Sequence, residues 1–287
     1  MGPGSPLDYP ELRINNLAAL NDNPFYNQDD NQVEPNVEEP PTQYMTIHSL
    51  KCSGSQGYRY CNKCSVWKPD RSHHCSSSGK CILKMDHYCP WFSTCIGYFN
   101  YKFFVQFLVY VAIYCGFVFA VSFAIVYNFI FEEKYQEQFL SINLIILCVL
   151  GIAMGLSVGV FAGFSIYLTL NNLTTIEFQE RRWNYHGIND SFTYSFDQTG
   201  NTKKVTNIYD LGIVENWKSV MGPNLLTWLL PINVTNKSLL SKEFNNGVNF
   251  RVNEESYARW CQNAELQEQL NQQLRDYKNR LRRDRTQ

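Results

Sequence analysis

The sequence predicts an all-α integral membrane protein: two membrane-crossing helices, preceded by a small cysteine-rich domain of loops and short β-hairpins. Three observations carry that reading. Residues 103–131 and 139–170 are almost free of charge, and each exceeds the roughly 20 apolar residues a helix needs to cross a bilayer. Residues 51–100 are dense in Cys, His and Lys. Lys80, Lys84 and Lys102 precede the apolar pair, Arg181 and Arg182 follow it, and the connection between its members is short and acidic. Positive charge marks the cytosolic side, so both long flanks are expected in the cytosol. The 287 residues carry a net charge of −1, which gives no support for a nucleic-acid partner.

The elements follow in order. Residues 1–57 form an acidic N-terminal cytosolic segment, rich in Asn and Pro and short of periodic apolar residues, and are expected to be partly disordered. Residues 58–102 hold most of the cysteines. The first span, 103–131, is joined by a lumenal loop at 132–138 to the second, 139–170. The second span carries Gly151, Gly155, Gly159 and Gly163, a spacing that lets another helix approach closely. Residues 171–232 are a cytosolic docking segment containing the apolar-aromatic stretches 207–222 and 224–232. The tail, 233–287, ends in a helix with Leu266, Leu270, Leu274, Tyr277 and Leu281 on one stripe and a basic far end. That end reads either as a solvated face or as a contact for anionic lipid.

Of the ten cysteines, all but Cys115 and Cys148 lie outside the two apolar stretches, on flanks expected in the reducing cytosol, which argues for thiols or metal ligands over disulfides. Cys61-x2-Cys64-x9-His74-x6-Cys81 supplies three thiolates and an imidazole, the donor set of a tetrahedral structural zinc site. Shifted by fourteen residues, the same spacing reads Cys75, Ser78, Tyr88 and Cys95. Serine and tyrosine are poor zinc ligands, so one intact zinc site and one degraded site are expected.

Asp86, His87, Tyr88 and Cys89 are consecutive. Tyr88 falls on a lost ligand position, which spares the base beside it. A carboxylate on one imidazole nitrogen fixes the tautomer and leaves the other free to accept a thiol proton. Cys89 lies outside both zinc repeats and is the odd thiol, the candidate nucleophile.

These residues resemble the DHHC family of protein S-acyltransferases (palmitoyltransferases), in its DHYC variant. The resemblance covers "YCNKCSVWKPDRSHHCSSSGKCILKMDHYCPWFSTCIGYFNYKFF" at 60–104, resumes at Thr174-Thr175-Ile176-Glu177, similar to the family's TTxE motif, and returns at 207–222. The stretch 3–14 and the tail to "NFRV" are most similar to the fungal vacuolar subgroup. The resemblance implies a two-step reaction. Cys89 attacks the thioester of palmitoyl-CoA, and the acyl group then passes to a cysteine thiol of a membrane-associated protein. His87 would be the base and Asp86 its orienter; Thr175 would brace Asp86, with Thr174 and Glu177 in the same motif. Cys61, Cys64, His74 and Cys81 would hold zinc. Arg59, Lys68, Arg71 and His73 sit where family members offer positive charge to CoA phosphates, a solvated surface being the plainer reading. Trp91, Phe104, Phe107 and Tyr114 match positions lining the acyl cavity. Tyr114 is roughly 16 Å into the first span at helical rise. Asn216 and Trp217 would pack the tail against the core. The implied partners are the lipid bilayer, palmitoyl-CoA and membrane-bound protein substrates, with no nucleic acid. The implied location is the vacuolar membrane, with Golgi or endoplasmic reticulum as alternatives.

The sequence departs from the family in two ways. His87-Tyr88 stands where the family has a second His, which removes support for a second zinc. The family also has four membrane helices, two of them before the zinc region, so the chain is expected to be truncated at its N-terminus. The competing expectation is a non-catalytic, two-span zinc-finger membrane adaptor or inactive fragment.

Overall fold

The fold was analysed in a computed structural model. It describes residues 2–15, 41, 59–131, 140–183, 194–196, 202–204, 207–234 and 246–259, with isolated positions near the C-terminus. The connection at 132–138 and nearly all of the C-terminal helix lie outside the described residues; the side chains of Arg181 and Arg182 do as well.

The cysteine-rich region folds as three antiparallel hairpins: β1 (Tyr60–Cys61) with β2 (Val66–Trp67), β3 (His73–Cys75) with β4 (Lys80–Ile82), and β5 (His87–Cys89) with β6 (Thr94–Ile96). The fourteen-residue repeat is visible in their registers. His74 faces Cys81 across the second hairpin, and Tyr88 faces Cys95 across the third. It is also visible in the turns, where Ser65, Gly79 and Ser93 take positive φ values of 50°, 66° and 50°. Each lies four residues after Cys61, Cys75 or Cys89. The left-handed conformation is costly for a residue with a Cβ, so its recurrence at one period marks one turn design used three times. Two further short strands, β7 (Tyr194–Phe196) and β8 (Thr202–Lys204), pair with each other.

Two long helices, α1 (Tyr101–Phe131) and α2 (Ile142–Leu170), are each long and apolar enough to cross a membrane, and little of either is buried. Their bounds fall within three residues of the expected spans, the usual slack at helix ends. The glycine stripe is used in part. A Cβ at Gly151 would lie 3.1 Å from the Phe119 backbone, so α1 passes close there, whereas Gly159 and Gly163 have no such neighbour. After α2 come α3 (Thr175–Trp183), α4 (Ile213–Met221) and α5 (Leu225–Leu229).

The chain divides into two compact units that are not sequential. One comprises residues 1–99, 172–213 and 235–287; the other holds residues 100–171, containing α1 and α2, together with 214–234. In the first, residues 2–15 are ordered, unlike the loose segment their composition suggests. Tyr9, Leu12 and Ile14 pack into one core with Trp67, Leu83, Phe99 and Val248. The Tyr9 hydroxyl donates to the Asn246 carbonyl at 2.6 Å, and Ile14 N–H to Ser65 at 2.9 Å. Ordering here depends on partners far along the chain, which local periodicity does not register.

In the second unit, the Asn216 side chain is fully buried and donates to the Leu170 carbonyl at 2.7 Å. It thereby closes one of the open backbone acceptors at the end of α2. Trp217 meets Trp228 edge to face, ring centres 5.9 Å apart.

Candidate active site and metal centre

The metal centre comes from the first two hairpins. Cys61, Cys64, His74 and Cys81 bring their ligand atoms within 4.8 Å of one another. His74 Nδ1 lies 3.6, 3.3 and 3.8 Å from the sulfurs of Cys61, Cys64 and Cys81. Tetrahedral zinc with ordinary Zn–S and Zn–N bonds requires N···S edges of roughly 3.5 Å. The donor set and its spacing therefore fit zinc.

The degraded site has also come together, as packing. Cys75, Ile82 and Cys95 form a buried cluster joined by Met85 and Tyr88. The Ser78 hydroxyl lies 3.4 Å from Cys95 Sγ, and Ser78 N–H donates to Cys75 Sγ at 3.4 Å. Neither cysteine is in a disulfide. Tyr88 thus replaces a metal ligand with core volume.

The third hairpin presents the reactive residues. Side chains alternate across a strand, so His87 and Cys89 share one face of β5 and Tyr88 points to the other. Cys89 is fourteen residues after Cys75 and twenty-eight after Cys61. It opens a third copy of the repeat, in which the position three residues on is Phe92. Its thiol takes the place in the third hairpin that Cys61 takes in the first and Cys75 in the second.

Asp86 is 3 % exposed and fully engaged. Its Oδ2 lies 2.7 Å from His87 Nδ1 and accepts the Thr175 hydroxyl at 2.8 Å, while Oδ1 accepts Thr175 N–H at 2.8 Å. With Nδ1 held by Asp86, Nε2 is the other nitrogen of the ring.

The segment that meets Asp86 owes its shape to its sequence. Thr174 and Glu177 make a capping box: Glu177 N–H donates to Thr174 Oγ1 at 3.2 Å and Thr174 N–H to Glu177 Oε2 at 2.9 Å. With Thr174 spent on the cap of α3, Thr175 is turned toward Asp86.

Glu177 also grips Arg71. Nε and Nη2 of Arg71 reach the two carboxylate oxygens at 2.7 and 2.8 Å. The Arg71 side chain is 1 % exposed, its guanidinium lies 4.4 Å over the Tyr209 ring, and it donates to the Asn172 side chain and carbonyl. The expectation that Arg71 faces a CoA phosphate does not match this placement: the charge is turned inward and neutralised by Glu177. Burial alone would raise the Glu177 carboxyl, but the Arg71 guanidinium overrides it and holds the group below its usual range.

Three residues to which the sequence assigns no place in the site, Asn172, Lys84 and Tyr209, complete the cluster. Asn172, in left-handed conformation at φ 46°, accepts from Arg71 and from Lys84 Nζ at 3.2 Å and donates to the Tyr209 carbonyl at 2.7 Å. Burial and the neighbouring Arg71 push Lys84 down to about 7, while burial raises Tyr209 well above its usual value. The one sequence cue was Lys84, a charge inside the apolar run "CILKM".

The other expected contacts scatter. Arg59 donates to the Ser72 carbonyl. Lys68 is half-buried. Burial, reinforced by Arg59 and Lys68, pushes His73 down to about 4, so it is neutral at neutral pH. Trp91 is 89 % exposed. In the other unit, Phe104 is enclosed against Phe161, whereas Phe107 and Tyr114 are exposed on α1.

Comparison with known proteins adds the family. Residues 54–182 match the model described as DHHC palmitoyltransferase. Over 294 residues the chain is 65 % identical to Palmitoyltransferase PFA3 of Candida albicans, covering 99 % of this chain and 77 % of that protein. The Saccharomyces cerevisiae protein of the same name is 36 % identical, covering 94 % of this chain and 75 % of the relative. A probable protein S-acyltransferase of Arabidopsis thaliana is 34 % identical over 76 % of this chain and 69 % of its own.

Proposed function

The chain belongs to the DHHC palmitoyltransferase family, and from that premise we propose that it transfers palmitoyl groups from palmitoyl-CoA to protein cysteines through an acyl-enzyme on Cys89. The observation that carries this reading is the chain of contacts from Thr175 through Asp86 to His87, on the strand that also bears Cys89.

In the first step, His87 Nε2 takes the Cys89 proton as Sγ attacks the thioester carbonyl carbon. The tetrahedral intermediate collapses, the bond to the CoA sulfur breaks, and the CoA thiolate takes a proton from the imidazolium. In the second, an acceptor cysteine gives its proton to His87 and attacks the acyl-enzyme carbonyl, the acyl–Sγ bond to Cys89 breaks, and the Cys89 thiolate takes the proton back from the imidazolium. Asp86 steadies the imidazolium in both steps. Cys61, Cys64, His74 and Cys81 would hold zinc, which would lock together the first two hairpins, the ones that precede β5 in the chain. Arg59 and Lys68 remain the cations assigned to CoA phosphates, with His73 as a neutral donor. Phe107 and Tyr114 are the apolar side chains assigned to the acyl tail. α1 and α2 serve as the spans of the bilayer, the positive flanks favour the cytosol for the residues on either side of the pair, and similarity to the fungal subgroup favours the vacuolar membrane.

The test is transfer of labelled palmitate from palmitoyl-CoA to a membrane-tethered cysteine acceptor in lipid. The parent should label the acceptor, whereas Cys89→Ala and His87→Ala should not. Equal transfer by Cys89→Ala and the parent would end the acyl-enzyme reading.

A further inference from the structure

The stretch after α4 is arranged inside out. Leu225, Leu226 and Leu229 are each about two-thirds exposed, and Leu230 and Ile232 about half exposed. The backbone between them is not left to solvent. Gln106 Nε2 donates to the carbonyls of Trp228 at 2.8 Å, Leu230 at 3.0 Å and Thr227 at 3.3 Å. Lys102 Nζ donates to the Ile232 carbonyl at 2.6 Å, and the Tyr110 hydroxyl donates to that of Leu229. The Trp228 indole N–H is likewise satisfied internally, on the Gly222 carbonyl at 2.8 Å, and Pro231 has no N–H to satisfy.

Lys102, Gln106 and Tyr110 are spaced by four and lie on one face of α1. At helical rise they span about 12 Å along the first part of that helix. A backbone in water needs no side chains to meet its carbonyls, because water does so. In hydrocarbon, every such group must find a partner within the protein. Polar groups turned inward and aliphatic side chains turned outward are the pattern of a lipid-facing segment. The helix it lies along is itself apolar and exposed.

We infer that residues 224–232 are a lipid-immersed wedge, set in the outer hydrocarbon layer of the bilayer beside the first turns of α1. The partner is lipid acyl chain. The wedge ties the segment after α4 to the membrane by a contact separate from the spans. This inference rests on the reading that α1 and α2 cross a bilayer.

The experiment uses the full chain in phosphatidylcholine vesicles. An environment-sensitive fluorescent amino acid is introduced at Leu226, at Ile113 on the exposed face of α1, or at Lys218 on α4, one site per preparation. Emission is quenched either by lipid brominated on its acyl chains or by aqueous iodide. The wedge predicts that the Leu226 probe loses most of its emission to brominated lipid, as the Ile113 probe does, and little to iodide, while the Lys218 probe does the reverse. If Ile113 is quenched by brominated lipid but Leu226 answers to iodide, the segment is in water and the inference is overturned with the spans intact. A Leu226 probe shielded from both quenchers would mean that protein covers the segment, which also overturns it. An Ile113 probe that ignores brominated lipid would remove the spanning helix and the wedge together.

Discussion

Replacing Thr175 by valine removes one hydroxyl and leaves the shape of the side chain nearly unchanged. The hydroxyl donates to Asp86 Oδ2 at 2.8 Å, the same oxygen that meets His87 Nδ1. The second contact, from Thr175 N–H to Oδ1, survives because it is backbone. A hydrogen bond to a buried carboxylate is worth about 1.5–3 kcal/mol. If that support acts when His87 is charged, Thr175→Val should slow acyl-enzyme formation by about 10- to 10²-fold. Thr175→Ser, which keeps the oxygen, should restore most of the rate. The assay is the rate of hydroxylamine-sensitive labelling by palmitoyl-CoA in lipid, with zinc content measured alongside to show that the hairpins stay folded. Valine and serine variants that acylate alike, at the parental rate and with full zinc, would refute the argument that Thr175 supports Asp86.

Three further outcomes follow from the same geometry. Restoring both lost ligands, Ser78→Cys with Tyr88→His, should raise bound zinc from one to two per chain by elemental analysis; an unchanged stoichiometry would contradict the repeat. Arg71→Ala leaves the half-buried Glu177 carboxylate with the Thr174 N–H but without its charged partner, and should destabilise the zinc-bearing unit by roughly 1–3 kcal/mol. The further loss on adding Glu177→Ala should be much smaller, and additive losses in urea unfolding would show that the two do not act as a pair. Lys84, held down to about 7 by burial and Arg71, titrates well above that when unfolded, near 10.4. Between those values the unfolded chain binds a proton that the folded chain lacks, so stability gains from this group as pH rises from 7 to about 10. Lys84→Met should flatten that rise, read by hydrogen exchange across residues 60–100. A slope that persists in the variant would place its origin elsewhere.

What the sequence discloses here depends on how local the cause is. A candidate zinc-ligand set is picked out by residue type and spacing, and both are local, so Cys61, Cys64, His74 and Cys81 stand out as a set in the sequence and the fold brings them together. The membrane-length helices follow from composition alone. The direction in which a charge points is not local. Arg71 sits in "KPDRSHH", which reads as a basic surface, yet its partner Glu177 is 106 residues away and draws it inward. Asn172 carries no local signal for the same reason: it is a polar residue ending a helix, and its partners lie at Arg71, Lys84 and Tyr209. The stretch 2–15 looked irregular because its order comes from Trp67, Phe99 and Val248. A third copy of the fourteen-residue period could have been read as far as Cys89, but Phe92 at its second ligand position hides it until the turns are seen. Thr174 and Thr175 look interchangeable in sequence; only the capping geometry separates the one that starts α3 from the one that reaches Asp86.

The most direct test of the central claim is to find where the acyl group sits. The purified chain in lipid is exposed briefly to palmitoyl-CoA without an acceptor, and the adduct is mapped by peptide mass spectrometry, with Cys89→Ala in parallel. The account predicts a hydroxylamine-labile palmitoyl group on Cys89 in the parent and no thioester adduct in the variant. A stable adduct on another cysteine, present equally in both chains, would contradict it.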